Sequence, residues 1–283
     1  MDYSLANEIH AKVLDILKFL DKLCKEHNWK YYLAYGTLLG AVRHNGFIPW
    51  DDDIDLWMPR KDYDELLEYL RTENKDERYV LGENYYTTAL TRPSEWLLRI
   101  FDLETEINCE ASSNIKYLWL DIMPLESMHL NNQKRFLKQV NKRLSYFKFV
   151  RMKKYRYNIG GFKGFVNKAM YTLHNKYGMF KKVFDEKREL GRLMDACTQY
   201  VNDETCDGYF CHGYIYNLNA PHKCFFEKKW FEEVVEMKFE DMTCLIPKYY
   251  DEILTLVYKD YMTLPPEDKR VFHGIEIIRK EEN

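Results

Sequence analysis

Residues 35–55 decide the fold of this chain and read Tyr35-Gly36-Thr37-Leu38-Leu39-Gly40-Ala41-Val42-Arg43-His44-Asn45-Gly46-Phe47-Ile48-Pro49-Trp50-Asp51-Asp52-Asp53-Ile54-Asp55. Side chains alternate between the two faces of an extended segment, so we expect Asp51, Asp53 and Asp55 on one face and Asp52 on the other. Carboxylates this close repel one another, and a divalent ion such as Mg²⁺, which prefers oxygen ligands, would compensate them. A solvated acidic turn is the alternative interpretation.

The sequence around the acidic run predicts a strand, a turn, a short helix and a second strand. The aromatic run 29–35 favours a strand that ends at Gly36, where the backbone can approach a ligand phosphate closely. Thr37 is predicted to cap a helix over residues 38–43, whose free N–H groups favour an anion. Residues 53–58 are predicted to return as a strand.

One further carboxylate, Asp121, lies inside the apolar run Tyr117-Leu118-Trp119-Leu120-Asp121-Ile122-Met123-Pro124. A buried carboxylate without a partner is costly, so Asp121 needs a compensating group. A metal ion shared with Asp53 and Asp55 would supply one. A bond to the backbone at the end of a strand is the alternative.

The composition is that of a globular chain of 283 residues, with 46% hydrophobic residues, 31% charged residues and a net charge of −3. The first residues show no basic segment followed by an apolar run, and no window has the apolar length of a membrane span, so a cytoplasmic location is expected. The seven scattered cysteines favour reduced thiols over a disulfide framework. The cysteines and histidines from Cys206 to Cys224 are candidate zinc ligands, although no Cys-x-x-Cys pair occurs there.

Charge patterning divides the chain into three parts. We predict a catalytic core over residues 1–130, a basic helical subdomain over 131–200, and a C-terminal part over 201–283 that returns to the core. Between Gln133 and Arg192 the chain has eighteen Lys and Arg against three acidic residues, interleaved with aromatics. This segment either binds polyanions, including an anionic membrane surface, or is a helical subdomain with a basic outer face.

The remaining elements follow from periodicity and turn residues. Helices are predicted over 5–27, 60–70 and 248–258, the last opened by Pro247, and a hairpin over 234–246. Short strands are predicted over 79–81, 96–101 and 105–109. The tail presents Lys269 and Arg270, which either return to the phosphate site or stay exposed.

Three blocks in one order carry a resemblance to a known family. They are residues 35–55 quoted above, Leu120-Asp121-Ile122-Met123-Pro124-Leu125, and Tyr258-Lys259-Asp260-Tyr261-Met262 with Leu264-Pro265-Pro266. With these residues the chain resembles the LicD family, phosphocholine transferases that share a domain with the fukutin proteins. A departure is that only His273 follows Arg270, where the family's end is associated with several histidines.

The resemblance implies an α+β fold of the nucleotidyltransferase type, a mixed sheet flanked by helices. It also implies a CDP-choline donor, or a related CDP-alcohol, whose phosphoalcohol passes to a hydroxyl of a cell-surface glycan precursor of the teichoic acid or lipopolysaccharide type, releasing CMP. Such an enzyme would work in the cytoplasm or at the inner face of the cell membrane, and its acceptor would be a glycan or lipid-linked glycan.

The resemblance assigns roles to individual residues. The metal ligands are Asp53 and Asp55, with Asp121 as a third carboxylate, either ligand or base, and Asp51 as a further candidate ligand. Two ions of Mg²⁺ or Mn²⁺ suit an in-line phosphoryl transfer. The donor phosphate contacts are Gly36, Thr37, Arg43, Lys269 and Arg270.

A choline group needs an aromatic box around its quaternary ammonium. Trp50, Trp57, Trp96 and Trp119 are candidates because they lie near the site in sequence. The alternative for each is an ordinary place in the core.

Two other functions stay open on sequence grounds. A nucleotidyltransferase proper would attack an α-phosphate and release pyrophosphate. A nucleic-acid-binding protein would use the basic segment, but no recognised RNA motif accompanies the charge, so no nucleic acid partner is expected.

Overall fold

The computed structural model describes residues 4–82, 97–110, 115–151, 169, 172–173, 186–211, 221–270 and 274–279. The chain divides into two compact units. The first combines Met1–Leu130 with Val201–Asn283, and the second is Asn131–Tyr200. No helix in these ranges has the length and apolarity to cross a bilayer.

The first unit contains a mixed sheet with helices, as the predicted α+β class requires, and that prediction is confirmed. Its helices are α1 (Ser4–His27), α2 (Tyr35–His44), α3 (Arg60–Thr72) and α6 (Tyr250–Tyr258). Its strands are β1 (Tyr32–Leu33), β2 (Asp55–Pro59), β3 (Tyr79–Leu81), β4 (Leu98–Cys109), β5 (Tyr117–Met128), β6 (Gly208–Cys211), β7 (Phe225–Glu227), β8 (Val234–Phe239), β9 (Met242–Pro247) and β10 (Ile275–Ile277).

The sheet runs in the order β1-β2-β5-β4-β10, with β3 paired to β4 and with β6 joining β5 to β7. Among the described strands β2 and β5 pair in parallel, and the other pairings are antiparallel. The parallel register sets Asp55 beside Asp121. Strands β8 and β9 form a separate hairpin, as the sequence predicted.

Helix α1 covers the core through a stripe of buried residues at helical spacing: Ile9, Val13, Ile16, Leu17, Leu20 and Leu23. The central strands are buried on both faces, so they read as nearly continuous apolar runs. The charged residues inside those runs are the exceptions, and they mark the site and its supports.

Several predicted boundaries around the acidic run were wrong. Helix α2 begins at Tyr35, so Thr37 lies in its first turn and does not cap it; Ala34 holds the cap position. The Thr37 hydroxyl instead accepts a hydrogen bond of 2.9 Å from the Asp55 N–H, which explains why it stays inside the helix. The aromatic run forms only the short strand β1, and β2 begins at Asp55, two residues later than predicted.

Two other boundaries also differ. The strands predicted over 96–101 and 105–109 are one strand, β4, with an irregular register between Asp102 and Glu106. Pro247 ends β9, and α6 starts three residues later at Tyr250. Proline suits the end of a strand as well as the first turn of a helix, so the sequence alone did not decide between them.

In the second unit, α4 (Gln133–Arg151) and α5 (Glu186–Cys197) pack together. Helix α4 buries Phe136, Val140 and Leu144 and exposes Lys134, Arg135, Lys138 and Lys142. The described part of this helix therefore has an apolar stripe and a basic outer face. Much of the predicted basic segment 133–192 lies outside the described residues.

Candidate active site

A cavity of about 510 Å³ lies in the first unit, between the start of α2, the acidic run and the segment after α6. Its lining residues are Tyr35, Gly36, Leu39, Arg43, Ile48, Trp50, Asp51, Asp53, Asp55, Tyr258, Asp260, Tyr261, Thr263, Pro265 and Lys269. Residues about 200 positions apart in sequence thus share one site.

The acidic wall contains Asp51, Asp53 and Asp55, all of which line the cavity, while Asp52 is only 1% exposed and is not a lining residue. The alternation expected for an extended segment therefore describes this run, although only Asp55 belongs to a strand. The Asp51 N–H donates to the Ile48 carbonyl, which turns the chain immediately before the run.

Gly36 lies where the acidic run approaches α2 closely, and a side chain here would displace that of Asp51. A Cβ atom at this position would lie 2.4 Å from Asp51 Oδ2, nearer than such atoms pack. The bond from the Asp55 N–H to the Thr37 hydroxyl also ties the end of the acidic run to α2. Gly36 also lines the cavity at the N-terminus of α2, the end of a helix that favours anions.

Asp121 lies next to Asp55 across the parallel pair, and Arg99 lies next to Asp121 across the antiparallel pair with β4. Arg99 donates from Nε to Asp121 Oδ1 at 2.5 Å and from Nη2 to Asp121 Oδ2 at 3.1 Å. A buried Asp121 requires a compensating partner, and Arg99 is such a partner. Asp121 is not among the lining residues of the cavity, whereas its neighbour Asp55 is.

Sequence reasoning missed Arg99 because it lies in the predicted strand 96–101 with no motif around it. The sequence feature that could have indicated it is Asp121 itself, because a carboxylate in an apolar strand favours a cation on a neighbouring strand.

Two basic side chains and a further carboxylate, Asp260, also line the cavity. The basic side chains are those of Arg43 and Lys269, and Arg43 Nη1 donates to the Tyr261 carbonyl at 2.7 Å. Burial lowers the pKa of Arg43 from its ordinary value, although an arginine stays charged at neutral pH. Arg270 is not a lining residue, but its guanidinium lies 4.7 Å from the centre of the Trp50 ring, which does line the cavity.

The four candidate tryptophans have different positions. Trp50 lines the cavity with three tyrosines that the sequence had not singled out for this role, Tyr35, Tyr258 and Tyr261. Trp57 is fully buried against Phe226 and Phe231, which is a place in the core. Trp119 is 5% exposed beneath the Arg99 guanidinium, 5.1 Å from it, and Trp96 lies outside the described residues.

Two residues that the sequence did not indicate hold the loop before the acidic run. The Glu240 carboxylate accepts a bond of 2.9 Å from the Phe47 N–H, and the Glu240 N–H donates to the Asn45 carbonyl. His10 lies 2.5 Å from the Asp51 carbonyl and stacks on Phe47 at 4.1 Å. Burial lowers the pKa of His10, which favours its neutral form. The hairpin tip and α1 thus fix the loop from two sides.

The comparisons with known proteins point to one family. Residues 28–102 match the family described as "LicD/FKTN/FKRP, nucleotidyltransferase domain". The chain is 28% identical over 270 residues to the lipopolysaccharide cholinephosphotransferase LicD of Haemophilus influenzae, covering 93% of each chain. An uncharacterized protein of Rickettsia prowazekii is 38% identical over 60 residues, or 21% of this chain and 23% of that protein. The resemblance read from the three sequence blocks is confirmed.

Proposed function

We propose that this chain, which carries a LicD-family domain in residues 28–102, transfers phosphocholine from a CDP-activated donor to a hydroxyl of a lipopolysaccharide-type glycan and releases CMP. The relative named a lipopolysaccharide cholinephosphotransferase aligns along nearly the whole chain, which supports this class of reaction and acceptor. A related phosphoalcohol and a teichoic acid acceptor are the variants of this proposal.

The observation that carries the proposal is the charge arrangement of the cavity. Four carboxylates, those of the run Asp51, Asp53 and Asp55 and that of Asp260, share it with two cations, Arg43 and Lys269. A site for a diphosphate donor needs side chains of both charges. The phosphate oxygens bind cationic side chains directly, and they bind carboxylates only through a metal ion.

The carboxylates fit Mg²⁺ or Mn²⁺, since both ions prefer oxygen ligands. Asp53 and Asp55 would hold the metal, with Asp51 as a further ligand, and two ions are expected in such a site. Bound there, the metal would neutralise charge on the transferred phosphoryl group.

The protein's own residues bind and orient the two substrates. Arg43 and Lys269 contact the diphosphate, with Arg270 beside them, and the N-terminal turn of α2 faces the same group at Gly36, while Thr37 acts indirectly through its bond from the Asp55 N–H. The acceptor oxygen attacks the phosphorus that carries the choline, and the bond from this phosphorus to CMP breaks. Asp121, with both oxygens bonded to Arg99, lies beside Asp55 and is the third carboxylate, either as a metal ligand or as the base that takes the proton of the acceptor hydroxyl.

The choline group has an aromatic wall to bind. Trp50 and the tyrosines Tyr258 and Tyr261 line the cavity, and the Arg270 guanidinium already lies over the Trp50 ring. A ring face that attracts this cation also attracts a quaternary ammonium, so Trp50 is the aromatic residue we assign to choline.

The test is CMP release from CDP-choline by the purified chain with Mg²⁺ and a lipopolysaccharide acceptor. Asp53→Ala with Asp55→Ala should lower the rate by about 1000-fold, the order reached when preorganised charge stabilisation is lost. Asp15→Asn, which changes an exposed carboxylate on α1, should leave the rate unchanged. Activity that survives the double substitution contradicts the assignment of the acidic wall.

The matched domain is described as a nucleotidyltransferase domain, which favours one second candidate, attack on an α-phosphate with release of pyrophosphate. The same assay separates the two reactions by product. CMP supports phosphocholine transfer, and pyrophosphate from CTP supports nucleotidyl transfer.

A panel of CDP-choline, CDP-ethanolamine, CDP-glycerol and CDP-ribitol in a thermal shift assay then identifies the alcohol, because a bound donor raises the apparent stability.

The basic outer face of α4 supports a peripheral contact with an anionic membrane at the cytoplasmic side, where a lipid-linked acceptor would be found. Flotation with vesicles that contain anionic lipid tests this, and salt should weaken the binding because the attraction is electrostatic.

A further inference from the structure

A second group of potential metal ligands lies outside the cavity, at the two points where the chain leaves and re-enters the first unit. His129 follows the last residue of β5, and Asp203 and Cys206 precede β6. The ligand atoms of the three residues all lie within 4.8 Å of one another. His129 Nε2 is 2.9 Å from Asp203 Oδ2.

We propose that His129, Asp203 and Cys206 form a Zn²⁺-binding site. An imidazole nitrogen, a carboxylate oxygen and a thiolate sulfur are all zinc ligands, at about 2.0–2.3 Å from the ion. Tetrahedral geometry at those bond lengths places the ligand atoms roughly 3.3–3.8 Å apart, so the observed group needs only a small adjustment. Mg²⁺ prefers an all-oxygen set, so the two sites of this chain select different ions.

The surroundings of the three residues orient two of them. Asp203 Oδ1 accepts bonds from the Thr205 hydroxyl at 2.5 Å and the Thr205 N–H at 3.0 Å, while Oδ2 faces His129. Leu130, next to His129, donates its N–H to Asp207 Oδ1 at 2.8 Å, which ties the two segments together. Carboxylates fixed in this way by hydrogen bonds are usual around zinc.

The three proposed ligands differ in their exposure to solvent. The side chains of His129 and Asp203 are 26% and 35% exposed, whereas Cys206 is 4% exposed. An ion entering from solvent would thus meet the imidazole and the carboxylate before the sulfur. A plain ion pair between His129 and Asp203 explains two of the residues but gives no role to the buried thiol.

An ion bound at this position would stabilise the fold. The second unit, Asn131–Tyr200, is inserted between His129 and Asp203 in sequence. A metal bound to both residues crosslinks the chain on either side of the insertion, and binding energy gained only in the folded state adds to its stability.

Cobalt is the probe for the test, because Co²⁺ bound to a thiolate shows a charge-transfer absorption band that oxygen and nitrogen ligands do not give. The full-length chain, stripped of metal and held in excess Mg²⁺ to occupy the acidic cavity, is titrated with Co²⁺ and then with Zn²⁺. We expect one Co²⁺ per chain with the thiolate band, and its displacement by Zn²⁺.

Three variants decide the outcome. Cys206→Ser should abolish the band, and His129→Gln should weaken Zn²⁺ binding by at least about tenfold. Cys109→Ser, a comparably buried cysteine on β4, should retain both. His129→Gln changes a partly exposed side chain and keeps the test valid if Cys206→Ser fails to fold. Binding without the band, a band that survives Cys206→Ser, or unchanged Zn²⁺ affinity in His129→Gln would overturn the proposal in favour of an ion pair only.

Discussion

The parallel pair β2–β5 carries charged residues at both ends, but the two ends differ in balance. At one end Asp55 lies beside Asp121, and Arg99 is the cation bonded to Asp121. At the other end Arg60 and Glu126 follow the last paired residues and are 4% and 0% exposed. Arg60 donates from Nε to Glu126 Oε2 at 3.0 Å and from Nη1 to Asp64.

At the Arg60 end, which we call the closed end, both charged side chains are buried and paired with each other. Burial alone would lower the pKa of Arg60, but the Glu126 carboxylate raises it, so the guanidinium keeps its charge out of water. The Asp55 end is open, and among the residues that line the cavity beside it the carboxylates outnumber the lysine and arginine side chains. Folding does not need that surplus, since like charges side by side cost stability. A balanced buried pair therefore serves the fold, whereas an excess of carboxylates is what we expect of a site that binds a cation.

The largest expected effect is at the closed end. Glu126→Leu should lower the free energy of unfolding by about 3–5 kcal/mol, because it leaves the Arg60 charge buried without its main partner. Urea unfolding measures this.

The double variant Arg60→Met with Glu126→Leu removes both charges and should regain much of the loss, since well-packed apolar residues often replace a buried pair without cost. A double variant as unstable as the single one would show that the pair does more than neutralise charge.

At the open end, Arg99→Gln should lower the rate of CMP release by about 10–100-fold, the range found when the support of a metal-binding side chain is lost. Arg99→Lys keeps the charge and should recover part of the rate, although it cannot form both bonds to Asp121. Mn²⁺ binding followed by electron paramagnetic resonance should weaken in parallel. Equal rates for the glutamine variant and the unmodified chain would remove Arg99 from the site.

The excess of carboxylates at the open end should cost stability when no metal is bound. Without metal, Asp53→Asn should raise the free energy of unfolding by about 0.5–1 kcal/mol, as replacements at strained functional sites often do, while activity falls. Asp52→Asn is the matched control from the same run, and it should destabilise because Asp52 is buried. A thermal melt in chelator compares them. Destabilisation by both would show that Asp53 supports the fold.

Sequence predicted the parts of this molecule that local patterns determine. The stripe of α1, the hairpin of β8 and β9, and the alternation of Asp51, Asp52 and Asp53 all follow from periodicity. The need for a partner at Asp121 was also predictable, because buried charge is costly.

The identity of that partner was not predictable, because Arg99 meets Asp121 only through strand pairing. The same holds for Tyr258 and Tyr261, which reach the cavity through the packing of α6 and its following segment. The role of Thr37 was misjudged for a related reason, since a long-range bond from the Asp55 N–H outweighed the local preference for a cap. Long-range pairing decided each of these cases.

The smallest expected effect concerns a third ion pair, Arg78 with Asp102 on β4, which is intermediate between the two ends. Asp102 is fully buried, whereas the Arg78 side chain is 32% exposed, so solvent screens the pair. Burial would raise the pKa of Asp102, but bonds from Arg78, from the Thr105 hydroxyl and from the Glu104 N–H outweigh it and hold this pKa below its ordinary value. A carboxyl with a lowered pKa in the folded state stabilises the fold above its unfolded pKa.

That contribution is lost as the pH falls through the folded pKa of Asp102, so its window lies below about pH 4, near the ordinary value for Asp. Urea unfolding at pH 6 should therefore show Asp102→Asn to be less stable than the unmodified chain, and the difference should shrink as the pH approaches 3. Arg78→Gln should reduce the same pH dependence, because it removes the positive charge and both guanidinium bonds to the carboxylate. A difference that stays constant from pH 6 to pH 3 would mean that Asp102 acts through packing and not through its charge.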